Sequence, residues 1–200
     1  GIHAPKNGDK FDLLTITEKN LSKKTKVKAV IIPNAKLIPI PSLLLKEETE
    51  TASKVRIYTD LGNIDIQLFK NTKFHRANFI YLTKKNYFED TQFYRVINNF
   101  IIQAGNSDNR KIQLKRKKIG KYLLPNDPDR GYSHTRGMVS MPSSLIDNPY
   151  KMASAFEFFI VQSNNGAHHL DGNYTIFGRV TSGMNTVDKI AATQTDNLDW

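Results

Sequence analysis

Phe93 to Asn106 reads FYRVINNFIIQAGN, and it decides how the rest of the chain is parsed. One cation, Arg95, stands in an apolar run of Phe93, Tyr94, Val96, Ile97, Phe100, Ile101 and Ile102. Two strand-like pieces, 93–97 and 100–104, meet at Asn98-Asn99, a pair suited to a tight turn. Strand alternation places Phe93, Arg95 and Ile97 on one face, and likewise Ile101, Gln103 and Gly105. An arginine in mid-strand among large apolar residues needs a reason. Two readings are open: an edge-strand arginine whose stem packs while its head reaches water, or a cation kept for function.

The same residues carry a resemblance. Phe93, Arg95, Ile97, Phe100, Gln103 and Gly105 match Phe-x-Arg-x-Ile-x-x-Phe-x-x-Gln-x-Gly, the signature of the cyclophilin-type peptidyl-prolyl isomerases. Phe158-Phe159-Ile160 agrees in order and approximate spacing, as does Leu170-Asp171-Gly172 followed by Phe177-Gly178-Arg179-Val180. Three separated matches in sequence order are far more specific than one short motif. The resemblance covers Lys54 to Ala192 and says nothing of the first fifty residues.

Composition bounds the answer more loosely. Two hundred residues, 39% hydrophobic and 10% aromatic, suffice for a folded domain with an appendage. The formal net charge of +10 favours acidic partners, nucleic acid or anionic membrane without establishing any of them. With no cysteine there is no disulfide or thiol chemistry. No apolar run approaches the ~18 residues of a membrane span. The chain starts at Gly1 without methionine, which reads as processing or trimming and suits a bacterial cell envelope or periplasmic location.

Residues 1–53 differ in texture from the rest of the chain and are expected to form an N-terminal extension or arm, with the isomerase-like domain at 54–200. Pro33, Pro39 and Pro41 limit residues 26–40 to an edge strand or extended arm, and 42–53 suit a short helix capped by Ser42. From Lys54, Val55 and Ile57 alternate with polar neighbours. After Asp60-Leu61-Gly62-Asn63, so do Ile64, Ile66 and Leu68, which predicts a hairpin with one buried face. The spacing predicts a helix over 73–86 with Ala77, Ile80 and Tyr81 on one side, and a second carrying Met184, Val187, Ile190 and Ala191. Short strands are expected at 93–97, 100–104, 137–141, 157–162 and 174–180. Many short strands without βαβ alternation argue for a mainly β barrel or sandwich. The resemblance sharpens this to a closed antiparallel eight-stranded barrel capped by two helices, whose final strand is missing or supplied by another segment, the 1–53 arm being one candidate.

The resemblance also implies the chemistry. It makes the chain a peptidyl-prolyl cis-trans isomerase in which Arg95 stabilises the twisted amide, and Gln103 bonds substrate backbone or steadies Arg95. Phe100, Ile101, Phe159 and Leu170 would wall the proline pocket, Ser143 would offer its backbone to the peptide, and His169 and Tyr174 would present flat rings at the rim. Glu157 stands where the family usually has glutamine, close enough by implication to orient Arg95 or to neutralise it. Ile101 replaces a common methionine, Pro142-Ser143 an Ala-Asn pair, and His169 a tryptophan, which puts cyclosporin-type binding in doubt. The stretch from Ser143 to Glu157 is longer than usual, and its Asn148-Pro149-Tyr150-Lys151 is similar to a longer loop of some bacterial members. Without the resemblance, Phe100, Phe159 and Leu170 would read as core, and Leu170-Asp171-Gly172-Asn173 as a turn.

No cofactor is implied. His168 and His169 are adjacent, so on a strand they face opposite ways and make a poor metal pair. The expected partners are proline-containing polypeptides met by a monomer. Arg110-Lys111, Lys115 to Lys118 and Lys121 form the densest charge cluster, with Ile112, Leu114 and Ile119 interleaved. It reads as an extended, solvated insertion beside the active face or as a footprint for nucleic acid or acidic peptide. The absence of an aromatic within it disfavours nucleic acid. Against the isomerase stands a catalytically weak proline-peptide binding module or chaperone that keeps the pocket, its turnover weakened by Glu157 and the altered groove.

Overall fold

The computed structural model describes residues 54–120, 122–143, 148 and 151–193. The expectations for the 1–53 arm, for a final strand and for most of the Asn148 to Lys151 loop lie outside these residues.

Alternation makes the first hairpin. Strand β1 (Lys54–Thr59) pairs antiparallel with β2 (Gly62–Leu68), and Ile64, Ile66 and Leu68 point into the core with at most 1% exposure. Arg56 and Asp65 face each other across the ladder and bond at 2.7 and 2.9 Å on the solvent side. Helix α1 (Lys73–Lys84) buries Ala77, Phe79, Ile80 and Leu82, while Tyr81 is only half-buried. The chain leaves α1 through Asn86, whose φ of 51° turns it back. Strands β3 (Gln92–Ile97) and β4 (Ile101–Asn106) form the second hairpin about Asn98-Asn99, with Asn99 at φ 57°. Phe100 belongs to this turn rather than to the strand, its amide donating to the Ile97 carbonyl at 3.1 Å.

From Arg110 to Lys118 the basic cluster is a helix, which corrects the extended reading; Lys121 lies outside the described residues. In α2 (Arg110–Ile119), Asn109 caps the start by accepting from the Lys111 amide at 2.9 Å. Gly120, at φ 107°, ends it. Lysine and arginine are good helix formers, and three of them in the last turn complement the helix dipole. The inward face is therefore Ile112, which is buried, with Arg116 and Ile119 half-buried beside it on the same helical face. Leu114, two residues from Ile112 and inward on a strand, is 56% exposed here.

The remaining elements among the described residues are β5 (Leu123–Leu124), β6 (Met138–Met141), β7 (Ala153–Ser154), β8 (Phe158–Val161), a 3-10 turn at His168–Leu170, β9 (Thr175–Ser182) and α3 (Met184–Ala191). The main sheet runs β1-β2-β9-β6-β8-β4-β3, and β5 pairs with β7 separately. This corrects the closed eight-stranded barrel. The main sheet has seven strands, it curls into a half-barrel, and β1 and β3 keep one neighbour each among the described residues. Closure would need a ladder between those two edges; instead α3 packs against β2, β3 and β4. There are also three helices among the described residues rather than two.

One face of the sheet holds the main core. Phe79 is its hub, with ring centroids at 4.9 Å to Phe88 and 5.3 Å to both Phe158 and Phe177. Because strand side chains alternate, the residues between those core positions emerge on the opposite face. Ile102, Ala104, Phe158 and Ile160 go to the main core. Ile101, Phe159 and Val161 form a second apolar cluster with Ala167, against which Phe100, Met138, Leu170 and Tyr174 pack. That second face carries the site.

Candidate active site

A bulge sets the direction of Arg95. Phe93 pairs with Ala104 but Arg95 pairs with Gln103, so Tyr94 is an extra residue on β3. The bulge corrects the simple alternation. Phe93 stays with the core, 6.4 Å from the Phe158 ring, while Arg95 turns to the other face opposite Gln103. A second irregularity lies between Gln92 and Phe93, which pair with Asn106 and Ala104 and leave Gly105 as the extra residue. Gly105 is at φ 99°, and a Cβ there would stand 2.1 Å from the Phe156 carbonyl oxygen. Only glycine lets the strand pass that close to the segment leading into Glu157.

These turns open a cleft of about 960 Å³ lined by Arg95, Phe100, Ile101, Gln103, Ser143, Glu157, Phe159, Leu170 and Tyr174. The sequence-predicted residues are thus brought together with one exception. His169 is exposed at the rim, its ring stacked on Phe100 at 5.2 Å and 24°. The adjacent His168 and His169 lie on the 3-10 turn, not on a strand. Phe159 is 3% exposed and is held edge-on by Tyr174 at 6.0 Å. Ser143 is fixed by a bridge to Ala153.

The polar wall differs from expectation in its pairing. Glu157 accepts from Arg116 Nη2 at 3.1 Å, and the Arg116 guanidinium lies 4.8 Å from the centre of the Phe156 ring. The carboxylate is therefore engaged by α2, and among the described residues Arg95 makes no side-chain hydrogen bond or ion pair. Gln103 Nε2 donates to the Tyr94 hydroxyl. Burial pushes the Tyr94 phenol upward, and the nearby Glu157 charge adds to it against Gln103, Arg116 and Arg95. Tyr94 is thus a neutral hydroxyl throughout the ordinary pH range.

Behind Phe159 lies a buried polar group. The His134 ring stacks under Phe159 at 5.9 Å and 14°. Its Nδ1 faces Asp171 Oδ1 at 2.6 Å and its Nε2 faces Ser140 Oγ at 3.2 Å. The order Ser140, His134, Asp171 has the look of an activated nucleophile. Ser140, however, is 0% exposed and donates to the Thr175 carbonyl at 2.8 Å, so no substrate reaches it. Burial pushes the His134 imidazole down despite Asp171. Burial alone would raise the Asp171 carboxyl, but hydrogen bonds from Ser133 and from the His134 amide and ring hold it well below the usual carboxylate range. This group supports the wall.

Sequence reasoning missed Tyr94, Arg116, Tyr122, Leu123 and Phe156 as lining residues. It also read Asp171 as part of the Leu170-Asp171-Gly172 match and as a turn former, not as the partner of His134. Tyr94 pointed to the wrong face until the bulge was known, and Arg116 was one cation among many. The helical i, i+4 and i, i+7 spacing of Ile112, Arg116 and Ile119 was the available signal.

The chain has clear relatives among known proteins. A family model described as cyclophilin type peptidyl-prolyl cis-trans isomerase/CLD matches residues 54–200. A peptidyl-prolyl cis-trans isomerase of Acinetobacter baylyi is 34% identical over 157 residues, covering 77% of this chain and 80% of the relative. One from Dictyostelium discoideum is 32% identical over 153 residues, covering 74% and 90%. A crystal structure of a Cryptosporidium parvum cyclophilin type peptidyl-prolyl cis-trans isomerase, in the presence of the dipeptide Ala-Pro, superposes with a TM-score of 0.58 at 26% identity. That match covers 73% of this chain and 89% of that one.

Proposed function

We propose a mechanism on one premise: the chain belongs to the cyclophilin-type peptidyl-prolyl cis-trans isomerase family. The reaction class, rotation about Xaa-Pro bonds, comes with the family; the roles given to single residues are our reading. Rotation about a peptide bond faces a barrier of about 18–20 kcal/mol, and uncatalysed Xaa-Pro exchange takes roughly tens to hundreds of seconds. No proton is abstracted and no covalent bond forms, so the chemistry asks for no cofactor. What slows rotation is amide resonance. Twisting the bond returns the lone pair to the prolyl nitrogen, where a fixed cation stabilises the twisted state more than the planar one.

Arg95 fills that role. Its guanidinium is always charged and, among the described residues, is left uncommitted on the wall of an apolar cleft. Phe100, Ile101, Phe159 and Leu170 take the proline ring, Ser143 and Gln103 meet the peptide backbone, and His169 and Tyr174 flank it. With Glu157 held by Arg116, the neutralisation of Arg95 that would favour a mere binding module loses its cause. The observation that carries the reading is this: an arginine without an ion pair among the described residues, set by a bulge beside a pocket of buried aromatic and aliphatic side chains. A cis-trans exchange experiment by NMR on an Ala-Pro peptide tests it. Exchange accelerated by the protein and lost in Arg95→Ala is the expected result. Peptide binding without acceleration in the wild type would leave a binding module instead.

A further inference from the structure

We infer that the cleft takes clients with acidic side chains flanking the Xaa-Pro bond, drawn by the cationic outer surface of α2 and read by Arg116. The inference rests on the isomerase reading and names its substrate class.

Helix α2 carries Arg110, Lys111, Lys115, Arg116, Lys117 and Lys118 within ten residues, with no acid among them. Their commitments differ. Lys115 is used internally, donating to the Asn86 and Glu89 carbonyls at 3.0 and 2.9 Å. Arg110, Lys111, Lys117 and Lys118 are exposed, and among the described residues none of them forms an ion pair. Arg116 points the other way, into the cleft that Arg95 also lines. The hydrogen bond to Glu157 uses one of the five N–H donors of its guanidinium. Among the described lining residues Glu157 is the single carboxylate against Arg95 and Arg116, so the wall keeps a net positive charge that continues outward along α2.

The helix is about 15 Å long, the span of four to five extended residues, so one peptide can lie in the cleft and along it together. A polypeptide fits better than a nucleic acid. Leu114 is 56% exposed in the middle of the cations, and Arg116 ties them to an apolar cleft. An acidic peptide with apolar side chains uses both features, whereas a phosphate backbone uses only the charge.

Three Ala-Pro peptides with glutamate, glutamine or lysine beside the proline test this by NMR exchange at low salt and at high salt. The expected order is glutamate over glutamine over lysine. The glutamate peptide should lead the glutamine one by roughly threefold to tenfold at low ionic strength, converging as salt screens exposed charges. Lys117→Gln/Lys118→Gln should move that ratio towards one, as should Arg116→Gln. Glu157→Gln should raise the ratio, because it frees Arg116 and removes the opposing charge. Equal acceleration of all three peptides at low salt overturns the inference while leaving the isomerase reading intact; no acceleration of any peptide overturns both. Tighter binding of a single-stranded oligonucleotide than of the glutamate peptide, with shifts confined to α2, would assign the surface to nucleic acid and overturn it as well.

Discussion

His75 offers a prediction that can be worked through from the fold. It lies on α1 at 0% exposure, near Phe177 at a ring distance of 6.4 Å, and neither ring nitrogen has a hydrogen-bond partner among the described residues. Burial pushes its imidazole from 6.5 down to about 3. Between those values the unfolded chain holds a proton on His75 that the native state refuses. The unfolded state therefore binds more protons there, and stability rises with pH across that window and is fully present above it. Near pH 4.5 the difference is about two pH units of unfolded-state protonation at 1.36 kcal/mol each, or about 2.7 kcal/mol. His75→Leu removes this dependence and keeps an apolar side chain of similar size. It should also be more stable near pH 7.5 by roughly 1 kcal/mol, because unpaired ring nitrogens are removed. Urea unfolding of both proteins near pH 7.5 and near pH 4.5 measures the effect. The stability gap should widen by about 2.7 kcal/mol on acidification, a midpoint shift of roughly 1 to 3 M for ordinary urea m-values. A gap that is the same at both pH values would refute the reasoning, because a neutral, buried His75 cannot then be what the fold contains.

Three further outcomes are expected. Gly105→Ala sets a Cβ 2.1 Å from the Phe156 carbonyl oxygen at a φ that side chains avoid, so calorimetry should find a loss of roughly 2–4 kcal/mol. Phe159→Ala removes a pocket wall that is 3% exposed; stability should fall by about 3–5 kcal/mol, and kcat/KM for an Ala-Pro peptide should fall more than tenfold. Asp171→Asn weakens the acceptor for Ser133 and His134. Because the folded carboxyl is depressed, wild type should lead at neutral pH, by roughly 1–2 kcal/mol given partial exposure. That lead should shrink below pH 4, where the unfolded chain's carboxyl takes up a proton that the native one refuses, which acid-titrated unfolding would register.

Much of the fold was legible because its signals are local. Ile64, Ile66 and Leu68 alternate as a half-buried strand must, and Asn98-Asn99 marks the turn between β3 and β4. Of the candidate site residues, Arg95, Phe100, Ile101, Gln103, Phe159 and Leu170 line one cleft, and the three motifs had named them in order along the chain. What failed depends on contacts between distant segments. Whether a curled sheet closes depends on its edges, and nothing in β1 or β3 announces that the two strands stay apart. The bulge at Tyr94 arises from the pairing of β3 with β4, so alternation alone misplaced Phe93 relative to Arg95. The basic cluster was misread because Ile112 and Leu114 mimic a strand period, while the decisive helical signal was the capping Asn109 and the closing Gly120. Glu157 was assigned to Arg95 by implication, and only the packing of α2 beside the cleft reveals Arg116 as its partner.

The most direct test of the central claim separates charge placement from binding. Arg95→Lys keeps a cation but loses the planar fork, and Arg95→Gln keeps hydrogen bonding but loses the charge. Exchange spectroscopy on an Ala-Pro peptide, with peptide affinity measured in parallel, gives the rate and the binding for each. The account predicts a kcat fall of about 10²–10³-fold for Arg95→Gln, the usual cost of losing one preorganised donor, and a smaller fall for Arg95→Lys. Affinity should change less than threefold in both, because the pocket of Phe100, Ile101, Phe159 and Leu170 is untouched. A rate unchanged in Arg95→Gln, or a rate and an affinity that fall in step, would contradict it.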